Sequence, residues 1–371
     1  MLLVDGWGFL HVPTNVEDRV APRTPHCLGR SLSLVLLAAV VFLASVTALR
    51  ALVPWPEHGA LAARMKHFLA HADDYDLLFV GSSNVAHGFD PAVVDAELAR
   101  RGHSLRSYNL AAEDMQPVEA DFVLREVQRR KPARLRSVVI ELLDFEPTAV
   151  IRDNAFSERA VYWHDARSLC DALGRLLRSA APLFDKARLS WLHLQHAAWR
   201  LGNLGEADRV LAAQRTHVDP VLAAVVEAGG FEALDDRPDQ ATLRMRAAFL
   251  ANAPRYRART AKLDAQNATH GTLPPGLDDE LAMQTARLRA AGIEPIYVIP
   301  PVPHPTPALH AFAARAEAPL VFLFNAPGRY PELFVFEHRY DETHVNRAGS
   351  EVLSRRFADA LADVLDGKHG G

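Results

Sequence analysis

The sequence predicts a three-layer α/β protein: a parallel five-stranded sheet with a helical insertion, preceded by one transmembrane helix. Three observations carry this expectation. Short apolar runs alternate with helical stretches in two separated blocks of the chain. Between those blocks lies a long segment with helical periodicity only. Near the N-terminus, Ser31 to Leu49 contains no charged residue.

That apolar run comes first in order. At ~1.5 Å rise per residue it nearly spans a ~30 Å hydrocarbon core, so it reads as an uncleaved signal-anchor over residues 31–50. Arg23 and Arg30 precede it and Arg50 follows, a weak charge bias. A long domain after a single anchor still favours a short cytoplasmic tail over residues 1–30 and an exported C-terminal domain. The expected location is the inner membrane, single-pass, with membrane lipid as the anchor's partner.

The domain over residues 70–371 starts with Leu77 to Val80, an apolar run that ends in Gly81-Ser82-Ser83. A helix follows from Pro91, with Asp90 as N-cap. Further strands are expected at Leu105–Leu110, Ser137–Leu143, Glu294–Ile299 and Leu320–Asn325, with helices at Pro117–Arg130 and Arg347–Leu365. The insertion, at about residues 150–278, reads as a helical cap over the sheet edge or as a helical layer away from it. Its tryptophans Trp163, Trp191 and Trp199 sit at helical spacing, which favours a core role over sugar stacking.

Composition narrows the function. Of 371 residues, 41 are Lys or Arg and 45 Asp or Glu, a net charge of −4 with no basic stripe, so no nucleic-acid partner is expected. The two cysteines, Cys27 and Cys170, lie on opposite sides of the apolar run and define no disulfide framework. No histidine or cysteine cluster has zinc spacing and no glycine-rich phosphate loop occurs, so no metal and no cofactor are expected.

Two motifs carry chemistry. Gly81-Ser82-Ser83 puts a hydroxyl on a strand-to-helix turn, where the helix N-terminus offers free N–H groups to an oxyanion. Asp341-Glu342-Thr343-His344 spaces a carboxylate and an imidazole so that they meet on one loop, just before the last helix. Ser83 is thus the candidate nucleophile, His344 its base and Asp341 the residue that orients His344. His87 and His304 are weaker candidates for lining the cleft, with a cap or surface role and loop packing as their alternatives. Glu342 is expected to face solvent.

This placement resembles the SGNH (GDSL-like) hydrolase superfamily, whose sheet is flavodoxin-like. Its first block, Gly-Asp-Ser, is matched by Gly81-Ser82-Ser83, and its last, Asp-x-x-His, by Asp341 and His344. The stretches VGSSNVAHGFDP, SYNLAAED and YDETHVNRAGSEVLS look most like the membrane-anchored branch. That branch includes D-alanine transfer proteins and alginate-type O-acetyltransferases. The resemblance implies a serine esterase or O-acyltransferase acting on a glycan or acylated small molecule, with a multi-pass acyl-donating membrane protein as a partner. Two departures stand out. The second block has no glycine in Asn109-Leu110-Ala111-Ala112, leaving an N–H of Ala111 or Ala112 to serve the oxyanion. The third, Glu141-Leu142-Leu143-Asp144, offers only carboxylates where the family has asparagine. These would repel an oxyanion if ionised, so Ser83 and Asn84 are left as further donors. An inert SGNH-like domain that binds glycan or acts as a scaffold is the alternative these departures raise.

Overall fold

A computed structural model describes residues 25–50, 59–143, 158–202, 220–315 and 318–367. The chain forms two compact units, residues 1–52 and residues 53–371. In the first, the helix Pro25–Arg50 contains an apolar stretch, Gly29–Leu49, long enough to cross a membrane, with almost none of it buried by protein. The expected tail over residues 1–30 falls mostly outside the described residues.

The second unit is the α/β domain. Its strands are β1 (Leu77–Val80), β2 (Ser107–Asn109), β3 (Ser137–Glu141), β4 (Glu294–Ile299) and β5 (Val321–Leu323). They pair all-parallel in the order β2-β1-β3-β4-β5. Each strand of the pair β1 and β3 is apolar without alternation, because helices cover both faces. Leu78, Val80, Val138 and Ile140 pack into one layer, with Met65, Phe68, Val123 and Leu288 of the flanking helices. Leu77, Phe79, Val139 and Val298 pack into the other, against Val94, Leu98, Leu353 and Phe357. Strands β1 and β4 and the helices Pro117–Arg130 and Arg347–Leu365 have the bounds read from the sequence. Strands β2, β3 and β5 are shorter at one or both ends.

In this strand order the chain reverses direction across the sheet beside β1 and β3, which leaves a crevice at their carboxyl ends. Register fixes what faces it. Val80 pairs with Ile140 and Ile140 with Tyr297, so the Gly81 turn, Glu141 and Val298 end at one level.

The insertion divides in two. Its first half, the helices Glu158–Trp163, Ala166–Arg178 and Leu183–Gly202, packs on the helix Pro117–Arg130 through Arg125 to Asp165 (3.0 Å) and Arg159 to Glu119. Its second half, from Pro220 to Asn267, reaches the crevice. Arg246 donates to the carbonyls of Arg339 and Tyr340, and Tyr256 Oη to that of Phe334 (3.1 Å). The second half thus lies beside the crevice, and the first lies against the helix Pro117–Arg130.

Candidate active site

The nucleophile turn is built by close packing. A Cβ on Gly81 would stand 2.6 Å from Val85 Cγ2 and 2.7 Å from Glu141 Cβ, so only glycine lets β1 turn this near the end of β3. Ser82 then caps the short helix Ser83–Ala86, its Oγ accepting from Asn84 N–H at 3.3 Å. Ser82 is thus the cap of the turn. Ser83 occupies the first helical position, where its N–H has no intrahelical acceptor.

The second motif lies on the loop before the helix Arg347–Leu365. An antiparallel bridge between Arg339 and Val345 closes this loop, and Asn346 caps the helix with Oδ1 accepting from Gly349 N–H at 2.9 Å. A side chain at Gly349 would meet the His338 carbonyl at 2.1 Å, so the loop and the helix start can approach only with glycine there. Arg339 is fully buried beneath the loop, donating to the carbonyls of Pro301 (2.8 Å) and Glu342 (3.1 Å). Glu342 does not face solvent as expected; it is half-buried against Arg259 at 2.6 Å.

These two loops, 261 residues apart, meet. His344 Nδ1–H donates to Asp341 Oδ2 at 2.8 Å, leaving Nε2 as the acceptor for the Ser83 hydroxyl, also at 2.8 Å. Asp341 Oδ1 accepts the N–H groups of Thr343 (2.7 Å) and His344 (2.8 Å). Burial alone would raise the Asp341 pKa, but its bonds to His344 and Thr343 and the His344 charge together hold it well below the usual carboxylate range. The carboxylate is therefore ionised wherever the histidine is of use.

Ser83, Asn84, His87, Pro301, Thr343 and His344 line a narrow cleft. His87 is the C-cap of the helix Ser83–Ala86, but it is no surface residue: its side chain is buried in the cleft wall, with its ring edge-on to that of His344 at 6.0 Å. Its Nδ1–H donates to the Glu232 carbonyl at 2.6 Å, and Nε2 faces Glu113 Oε1 at 3.4 Å. Burial lowers its pKa, opposed by Glu113 and the Glu232 carbonyl. His304 is not brought to the site. Its ring is exposed beyond the Pro300-Pro301 turn, and its carbonyl accepts from Asn325 at 3.1 Å.

Of the four expected oxyanion donors, two are engaged elsewhere. Ala111 N–H donates to Asn109 Oδ1 at 3.0 Å, and Ala112 N–H to the Gly81 carbonyl at 3.0 Å, so both are spent within the protein. Asn109 is a fully buried clamp whose Nδ2 also binds the carbonyls of Val85 (3.0 Å) and Phe89 (2.9 Å). What remains is Ser83 N–H and one amide hydrogen of Asn84, since its Nδ2 gives the other to Glu141 Oε1 at 3.3 Å.

Glu141 is the residue that sequence reasoning misjudged. It does not face the cleft as a repelling charge; it lies behind the turn, accepting from Ser82 N–H and Asn84. Burial pushes its pKa up, and those hydrogen bonds oppose the shift. The signal for its role is its place at the β3 terminus beside Gly81, legible only once the register is known. Asp144 lies outside the described residues.

No protein-family model matches the chain, and no curated protein matches it.

Proposed function

We propose that this protein is a serine esterase or O-acyltransferase of the SGNH type that works through an acyl–Ser83 intermediate. The observation that carries the reading is the continuous hydrogen-bonded chain Ser83–His344–Asp341, with both links at 2.8 Å. His344 Nε2 takes the proton as Ser83 Oγ attacks an ester carbonyl. Ser83 N–H and Asn84 receive the developing oxyanion. His344 then returns the proton to the leaving alcohol. In the second half it deprotonates water or an acceptor hydroxyl, which attacks the acyl-enzyme and frees Ser83.

The anchor-like helix and the resemblance support a catalytic domain outside the cytoplasm on the inner membrane. They favour a cell-envelope or exopolysaccharide glycan as substrate, with a multi-pass membrane protein supplying the acyl group. The engaged N–H groups of Ala111 and Ala112 favour a second reading, an inert glycan-binding or scaffold domain. A fluorophosphonate probe on the purified full-length protein separates the two. The catalytic reading expects one labelled serine, lost in Ser83→Ala and strongly reduced in His344→Ala. A wild-type protein that stays unlabelled, with a Ser83→Ala variant that fully replaces it in cells, sinks that reading in favour of the inert one.

A further inference from the structure

The helix Leu183–Gly202 is turned inside out. At ~100° per residue, Leu183, Phe184, Ala187, Trp191, Leu194 and Leu201 fall within an arc of roughly 100°. That arc faces away from the protein: Leu183 is 83% exposed, Phe184 78% and Trp191 63%. On the opposite side, turned inward, are Leu189, His193 and His196. Leu177, 66% exposed at the end of the preceding helix, extends the patch. Lys186 and Arg188 stand at its two margins. An apolar surface of this extent, facing outward along a whole helix, marks an interaction site rather than a solvated face.

We infer that this face lies on the bilayer that the Gly29–Leu49 helix crosses, a second membrane contact beyond the anchor; the inference rests on reading that helix as a membrane span. Two features favour lipid. The linking residues 51–58 can extend to no more than about 30 Å, whatever their conformation, so a bilayer is always within reach of the rest of the chain. The arc bears Trp191 and Phe184, side chains suited to the boundary between headgroups and acyl chains. It is bordered by the long side chains of Lys186, which reaches the Leu177 carbonyl at 2.9 Å, and Arg188, beside Asp185 at 3.7 Å. Held by a tether and by this face, the domain would present the Ser83 cleft to the membrane in one attitude, suited to substrates kept at the lipid surface.

The test uses the full chain, with Cys27→Ser and Cys170→Ser, in bilayer nanodiscs containing phosphatidylglycerol. A nitroxide is attached in turn through Ala187→Cys and Ala198→Cys on the exposed arc, Val40→Cys on the anchor helix, and Ala290→Cys at an exposed site elsewhere in the domain. Collisions with oxygen, which enters the acyl region, are compared with those of a nickel chelate that stays in water. Labels at 187 and 198 should lose access to the chelate while the label at 290 keeps it, and Trp191→Ser with Leu194→Ser should restore that access. If 40 is shielded while 187 and 198 remain open to the chelate, the inference is overturned and the anchor stands. If 40 itself is open, the anchor reading fails and takes the inference with it. Shielding accompanied by dipolar coupling between the 187 labels of two chains assigns the face to a second copy, and also overturns it.

Discussion

Around the sheet, leucine, valine and phenylalanine point inward in both layers. The helix Leu183–Gly202 does the reverse. It buries His193 and His196 against His164 and turns Leu183, Trp191, Leu194 and Leu201 outward. The core region gains its stability from apolar burial at ~25 cal/mol per Å², whereas the insertion helix forgoes that gain along its most apolar side. Its inward contacts are hydrogen bonds among imidazoles: His164 donates to the Ala160 carbonyl, and its Nε2 accepts from His193 at 2.9 Å. The contrast teaches that the two regions answer to different surroundings. The sheet is covered by helices on both faces, whereas the insertion helix leaves its apolar arc exposed, the face inferred above to meet lipid.

The largest effect that would break or sharpen this contrast lies at the crevice. Ser83→Ala or His344→Ala should lower ester turnover by about 10⁴-fold or more without loss of fold, read from steady-state rates beside thermal melts. Turnover that survives either change would remove the crevice from the chemistry.

Acid should act on the insertion before the sheet. Burial lowers the pKa of His164 to about 2 and that of His193 to about 4, with repulsion from neighbouring histidines adding to both and the Ala160 carbonyl opposing it at His164. Both lie below the ordinary histidine value, so their contribution to stability is complete above about pH 6.5 and is lost as pH falls toward 4. The expected loss at His193 is on the order of 1–3 kcal/mol, seen as a drop in denaturation midpoint that His193→Gln flattens. A midpoint independent of pH between 7 and 4 contradicts the neutral imidazole packing. Asp341 contributes in the same sense, but only as pH falls below the ordinary carboxylate range.

Behind the nucleophile turn, Glu141→Ala leaves Ser82 N–H without its acceptor and should cost about 1–3 kcal/mol. Glu141→Gln should be milder, because the Asn84 Oδ1, buried without a partner, can accept from the new amide when Asn84 rotates. Equal losses in the two variants would show that the carboxylate charge itself is needed. The smallest expected change is on the outer face of the insertion helix. Leu194→Ser should stay within about 0.5 kcal/mol in denaturant titration, while Leu189→Ala on the inner face should cost about 2–4 kcal/mol. A large loss from Leu194→Ser would mean that the outer face is covered by the protein's own chain.

Much of the fold was legible because its signals are local. The apolar run from Leu77 to Val80, the cap at Asp90 with Pro91 behind it, and the Pro300-Pro301 stop after β4 each act within a few residues. The site was legible in its acid–base members for the same reason, since Asp341 and His344 lie within one loop. The sequence could not choose between cleft lining and loop packing for His304, because its topological place at the end of β4 says nothing of where the following turn aims it. The burial of His87 was not legible because its partner Glu232 is 145 residues away.

From the amino-acid order alone came the alternation of strands and helices, the apolar helix near the N-terminus, and the pairing of Asp341 with His344. These follow from periodicity and short-range sterics, which a single segment contains in full. Only the tertiary structure decided that Ser83 meets His344, that Ala111 and Ala112 have no N–H to spare, that Glu141 braces the turn, and which side of the insertion helix faces out. Each of these depends on which acceptor, or which apolar surface, a distant part of the chain brings within a few ångströms.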